Sequence, residues 1–76
     1  MKIIIYTQNS CLYCQFAKDE FKKRDWVYTE YNLSDDENKV SLFERLPDAK
    51  TVPQIWIDDK HIGGYDELMA HLKNVE

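Results

Sequence analysis

The sequence predicts a small α/β protein, with one four-stranded mixed sheet carrying three helices in the order β-α-β-α-β-β-α. Three observations predict it. Short β-branched runs alternate with segments whose apolar residues recur at helical spacing. The 76 residues are enough for a single domain over 1–76, a chain of this size burying only about 60% of its unfolded surface. The first strand–helix–strand unit has to close as a right-handed parallel crossover, whereas the last two strands are separated by a turn that suits an antiparallel hairpin.

The elements follow in order. KIIIYT (2–7) is apolar on both sides, which suits a central buried strand. Ser10 offers a helix N-cap. Phe16, Ala17 and Phe21 then recur at helical spacing among charges, giving a helix over about 11–24. DWVYTEYN (25–32) is rich in aromatic and β-branched residues and reads as the second strand, with Trp26, Tyr28 and Tyr31 packing in or beside it. SDDE (34–37) fits a capping box, Ser34 accepting from the third amide and Glu37 reaching back. Val40, Phe43 and Leu46 form the apolar stripe of the second helix, and Pro47 stops it. PQIWID (53–58) is a third strand that includes Trp56, DDK a turn, and HIGG (61–64) a fourth strand closed by glycines. Leu68, Met69, Leu72 and Val75 mark the last helix.

Composition narrows the function. At 43% hydrophobic and 13% aromatic the chain is a folded globule, with no repeat or low-complexity run. A formal charge of −4 argues against a nucleic-acid partner. The basic run Lys22, Lys23, Arg24 is offset by Asp19, Glu20 and Asp25, and reads as a solvated helix face with pairs such as Asp19 with Lys23. The N-terminal apolar run is only Ile3 to Tyr6, far short of the roughly 7–15 residues of a signal peptide or the ~20 of a membrane helix. The expectation is a cytoplasmic protein with no membrane association.

In that compartment two cysteines three positions apart read as redox-catalytic or metal-binding. Cys11 falls at the first turn of the first helix, where unsatisfied amides and the helix dipole favour a thiolate, and the thiolate is the nucleophile. Cys14, one turn later on the same face, is placed to attack a mixed disulfide on Cys11 and release the substrate thiol. Zinc is the rival reading. It needs four ligands, and only His61 and His71 remain, ten residues apart and outside the common spacings.

Two further stretches bear on the cysteines. In TVP (51–53), the residue before proline is pushed to extended geometry. A cis Val52–Pro53 bond there exposes the Val52 amide and carbonyl to an extended peptide. GGYDE (63–67) fits a strand-to-helix turn with an acidic first turn. It equally fits a pocket whose amides hold a carboxylate while Asp66 holds an ammonium.

Together, YTQNSCLYC, TVP and GGYDE, in this order and separation, resemble a dithiol glutaredoxin across essentially the whole chain. The resemblance implies a thioredoxin-like fold with strand order 2-1-3-4, a cis Pro53 beside the cysteines, glutathione as reductant and no tightly bound cofactor. It makes Cys11 the nucleophile and Cys14 the resolving thiol. It places Tyr13 and Gln8 beside the site, and Thr51, Val52 and Pro53 along the cysteinyl part of glutathione. Gly64, Tyr65 and Asp66 then face its γ-glutamyl end, and Lys50 and Arg45 lie near its glycyl carboxylate. The implied partners are glutathione and disulfide-bearing client proteins, ribonucleotide reductase among them, met by a monomer. Recharging by thioredoxin reductase is the alternative enzyme, and a dimer holding an iron–sulfur cluster or zinc the alternative binding protein. Two positions depart from the family pattern. Leu12 stands where the usual C-P-Y-C has proline, adding an N–H but loosening the first turn. Gln8 stands where many members carry lysine, which leaves the Tyr13 and Cys14 amides to supply much of the thiolate's stabilisation.

Overall fold

The computed structural model describes residues 1–75, with Val75 described in its backbone alone. The order is β1 (Ile3–Thr7), α1 (Leu12–Lys23), β2 (Thr29–Asn32), α2 (Asp36–Arg45), β3 (Gln54–Ile57), β4 (Lys60–Gly63) and α3 (Tyr65–Val75). The strands form one sheet in the order β2-β1-β3-β4. β1 runs parallel to β2, with Ile4 opposite Thr29, and antiparallel to β3, with Ile5 opposite Ile55. β3 and β4 form the expected hairpin. Its turn residues Asp58 and Asp59 both have positive φ, 51° and 67°, the left-handed pair that a two-residue hairpin turn demands.

β1 is buried along its whole length because it is covered on both faces. On one face Ile3, Ile5, Ile55 and Ile57 pack against Ala17 and Phe21 of α1 and Leu68 and Leu72 of α3. On the other, Ile4, Tyr6 and Trp56 meet Leu42 of α2. Tyr6 is wholly buried, and its hydroxyl is paired with Ser41 Oγ at 2.6 Å. Trp26 and Tyr28 pack against the first cluster and Tyr31 against the second, as their composition suggests.

Several local expectations are corrected. The N-cap of α1 is Cys11, not Ser10, which is exposed and takes a positive φ of 58°. The buried face of α1 is Cys14, Ala17 and Phe21, and Phe16 stays 39% exposed. The second strand pairs only over Thr29–Asn32, because the residues before it are used to end α1. The amides of Arg24 and Trp26 return to the Phe21 carbonyl, and Asp25 adopts φ 58°. Asp35 rather than Ser34 caps α2, its carboxylate accepting from the Glu37 amide at 2.9 Å. The stripe of α2 is Leu42 with part-buried Leu46, while Val40 and Phe43 face solvent. On α1 it is Glu20, not Asp19, that pairs with Lys23 and Arg24, and Asp19 accepts from Gln15 instead. In α3, Leu68 and Leu72 are buried and Met69 partly so, whereas the Val75 side chain lies outside the described residues.

Candidate active site

The sheet delivers the end of β1 to the start of α1, and the cysteines sit there. Cys11 is extended (φ −109°), and its Sγ accepts the Cys14 backbone N–H at 3.1 Å. This is the helix-end donor that the cysteine spacing calls for. Among the described residues the companion bond expected from the Tyr13 amide is not formed. Cys11 and Cys14 are joined as a disulfide, their Cα atoms 5.3 Å apart. Cys14 is 2% exposed, whereas Cys11 is half-buried and open to solvent.

The 51–53 segment crosses beside this pair. The Val52–Pro53 bond is cis, and the Val52 carbonyl oxygen lies 3.9 Å from Cys11 Sγ. A groove of about 300 Å³ opens here, lined by Tyr13, Thr51, Val52 and Pro53 on one side and Gly64, Tyr65 and Asp66 on the other. These seven expected site residues therefore converge. Tyr13 is 57% exposed. Its ring meets Phe16 edge-on at 5.9 Å and Tyr65 at 5.8 Å, which gives the rim an aromatic surface. Gln8 and Lys50 do not line that groove. They line an adjoining cleft of about 170 Å³ that shares Thr51 and Val52 and is floored by Leu42. Arg45 lines neither, and its guanidinium lies 5.5 Å from the Trp56 ring.

Sequence reasoning missed three features. Glu67 reaches back to the Gly64 amide, Oε1 accepting at 2.7 Å, while the Gly64 carbonyl takes the Leu68 amide. Gly64 is thus the cap of α3, and its N–H already holds a carboxylate of the chain itself. The three-residue spacing from Gly64 to Glu67 is the signal that reveals it. Gly63 has φ 118°, and a Cβ there would meet Glu67 Cγ at 2.9 Å, so this turn needs glycine. The second feature is the hydrogen bonding of Gln54 and His61 behind the 51–53 segment.

The third missed feature is a charged group across the cysteines from the groove. A polar cleft of about 470 Å³ there is lined by Gln8, Cys11, Cys14, Lys18 and Glu30, among others. Glu30 accepts from the buried Thr7 hydroxyl at 2.6 Å and from Lys18 Nζ at 3.0 Å. Partial burial pushes its carboxyl upward, but the Thr7 and Lys18 hydrogen bonds and the charges of Lys18 and Lys22 outweigh this and hold it below the usual carboxylate range. No local pattern connects Thr7, Lys18 and Glu30, since the β1–β2 pairing sets Glu30 near Thr7 and α1 brings Lys18 to it. A carboxyl depressed in the folded state adds stability above its unfolded pKa and loses it as pH falls through the folded value. Glu30→Gln is therefore expected to be less stable than the parent at pH 7, by roughly 0.2–1 kcal/mol for a pair this solvated. The gap should close below about pH 4. Urea titrations at pH 7 and pH 3 check it, and an equal gap at both sinks it.

The geometry can be set beside known proteins. The glutaredoxin family model matches residues 3–62. Glutaredoxin 1 of Rickettsia typhi is 43% identical over 68 residues, which are 87% of this chain and 65% of that protein, so the chain spans just under two thirds of that relative. The crystal structure of glutaredoxin 1 from Francisella tularensis, complexed with cacodylate, superposes with a TM-score of 0.82 at 34% identity, covering 97% of this chain and 94% of that one. A buckwheat glutaredoxin–glutathione complex superposes with a TM-score of 0.80 at 26% identity, covering 96% of this chain and 69% of that one. The thioredoxin-like arrangement and the strand order 2-1-3-4 are those expected. Fold, relatives and the close cysteine pair support a thiol–disulfide oxidoreductase. On these matches the chain belongs to the glutaredoxin family.

Proposed function

We propose that the protein is a glutathione-dependent oxidoreductase that reduces glutathione mixed disulfides and protein disulfides, with Cys11 as nucleophile and Cys14 as resolving thiol. One observation carries the reading. The open sulfur of the pair takes a helix-end amide at 3.1 Å and lies 3.9 Å from the carbonyl oxygen of Val52, a residue that lines the groove closed by the start of α3. The reduced Cys11 thiolate attacks a substrate sulfur. A bond forms to Cys11, the substrate S–S bond breaks, and the leaving thiolate takes a proton from water. Cys14 then loses its proton to solvent and attacks Cys11 Sγ. This releases the remaining substrate half as a thiol and forms the intramolecular disulfide seen here. Two glutathione molecules restore the dithiol and leave as glutathione disulfide.

Glutathione fits the groove by chemistry. An extended cysteinyl segment pairs with the Val52 backbone. The spare amides at the start of α3 hold the γ-glutamyl carboxylate, Asp66 holds its ammonium, and Lys50 in the adjoining cleft draws the glycyl carboxylate. Tyr13 lines the groove, and Gln8, polar but uncharged, lines the cleft that holds the cysteines. Because Glu67 occupies the Gly64 amide, the ligand carboxylate is left with the Tyr65 and Asp66 amides. The buckwheat complex supports the ligand class.

The single domain is proposed to work as a cytoplasmic monomer, where a reducing pool keeps the dithiol available. Glutathione serves as reductant rather than as bound cofactor, and disulfide-bearing proteins such as ribonucleotide reductase are its clients. Among the described residues no helix is long and apolar enough to cross a membrane. The test is NADPH consumption with a disulfide substrate. Turnover is expected with glutathione plus glutathione reductase, and turnover only with thioredoxin reductase overturns the reading.

A further inference from the structure

Two polar side chains are buried among the described residues, Thr7 and Gln54. Thr7 serves Glu30. Gln54 follows Pro53 directly, and its amide is engaged on both sides. Nε2 donates to the Thr51 carbonyl at 3.1 Å and to Thr51 Oγ1 at 3.2 Å, and Oε1 lies 2.8 Å from His61 Nε2. A carbonyl only accepts, so the amide nitrogen must face Thr51 and the amide oxygen must face His61. The imidazole therefore carries its proton on Nε2 and donates. His61 is held in turn. It stands opposite Trp56 in the ladder, with ring centroids 4.6 Å apart.

The consequence lies in one peptide plane. The Thr51 carbonyl and the Val52 N–H belong to the same planar trans unit and point in opposite directions. Clamping the carbonyl toward Gln54 aims the Val52 N–H away from it. We propose that His61 and Gln54 form a relay that orients the peptide plane between Thr51 and Val52, and with it the backbone donor offered to an extended cysteine-containing substrate. The glutathione reading supplies the identity of that substrate, whereas the relay itself rests on the hydrogen bonds alone. His61 and Gln54 are positioning residues, one on an edge strand and one in the sheet, and the substrate is met by Val52.

Gln54→Glu tests this with little change of shape. Its carboxylate still accepts from His61 but has no proton for the Thr51 carbonyl. His61→Phe keeps a ring against Trp56 and removes the donor at an exposed position, so its folding is not at stake. The expected result is a KM for a small glutathione mixed disulfide raised about tenfold in Gln54→Glu and about threefold in His61→Phe, with kcat within about twofold. NMR order parameters of the Thr51 and Val52 amides should fall in both variants while those of Ile4 and Ile5 hold. In a Gln54→Leu background, His61→Phe should add nothing, as links in series require. Unchanged order parameters at Thr51 and Val52 in Gln54→Glu, a loss confined to kcat, or full additivity in the double variant overturns the proposal. If the parent protein does not turn over the glutathione substrate but the order parameters still depend on Gln54, the relay stands and the glutathione reading falls.

Discussion

Cys11→Ser is expected to lose turnover on a glutathione mixed disulfide by on the order of 10³-fold or more, because the attacking sulfur is gone and no other described thiol is open to solvent. Cys14→Ser should behave differently. Cys14 is 2% exposed, too little to meet a substrate directly. Its backbone N–H, which donates to Cys11 Sγ, survives the substitution. The nucleophile therefore keeps its hydrogen bond, and free glutathione can discharge the mixed disulfide in place of Cys14. Activity on the small substrate should stay within about threefold of the parent, while reduction of a protein disulfide, which needs the second thiol, should collapse. A coupled NADPH assay of both variants on both substrate types reads all four values. Equal losses for the two variants on the small substrate would contradict the division of labour.

The second large effect is structural. Phe21 is wholly buried between α1 and the sheet, and its ring lies 5.4 Å from that of Tyr28. Its carbonyl also receives the Arg24 and Trp26 amides that end the helix. Phe21→Ala leaves that backbone turn in place and removes the ring. The expected cost is about 3–5 kcal/mol, the lost transfer energy plus a cavity that a thin core cannot close. A domain of this size holds roughly 4–11 kcal/mol in all. The unfolding temperature should therefore fall by at least ~12 °C. Thermal unfolding followed by circular dichroism measures it, and a fall under about 5 °C would show that the site collapses far better than its packing suggests.

The elements most legible in the sequence are those whose signals are local. The all-apolar IIIYT run announced a strand covered on both faces, and the cysteine spacing announced a reactive helix start, because one turn of helix sets both. Where two local signals compete, the sequence is ambiguous. Ser10 is the better cap by residue type, but its positive φ leaves Cys11 to do the capping with sulfur. In α2, Val40 and Phe43 share a face as well as Leu42 and Leu46 do. Only the position of the sheet decides that the second pair is covered. The contacts least legible are those made across the fold. Thr7 and Glu30 meet through parallel strand pairing and Lys18 joins them from α1, and Gln54 finds His61 across a hairpin whose register slips between Ile55 and Trp56. TVP and GGYDE point to the groove by their own chemistry, and the family resemblance adds its ligand. The resemblance also sets Arg45 beside Lys50 near the glycyl carboxylate, whereas its guanidinium lies 5.5 Å from the Trp56 ring.

The two faces of the sheet are not held alike. α1 and α3 bury several large side chains, whereas α2 buries Leu42 and is tied to the sheet by two side-chain hydrogen bonds, Tyr6 with Ser41 and Asn38 to the Asn32 carbonyl. By that measure α2 is the part of the molecule that detaches at least expense, as a partial opening rather than as global unfolding. Such an opening bares Trp56 and the floor of the Lys50 cleft, yet leaves the sulfur pair on α1 seated. Redox chemistry and breathing motion are thus assigned to opposite sides of one sheet.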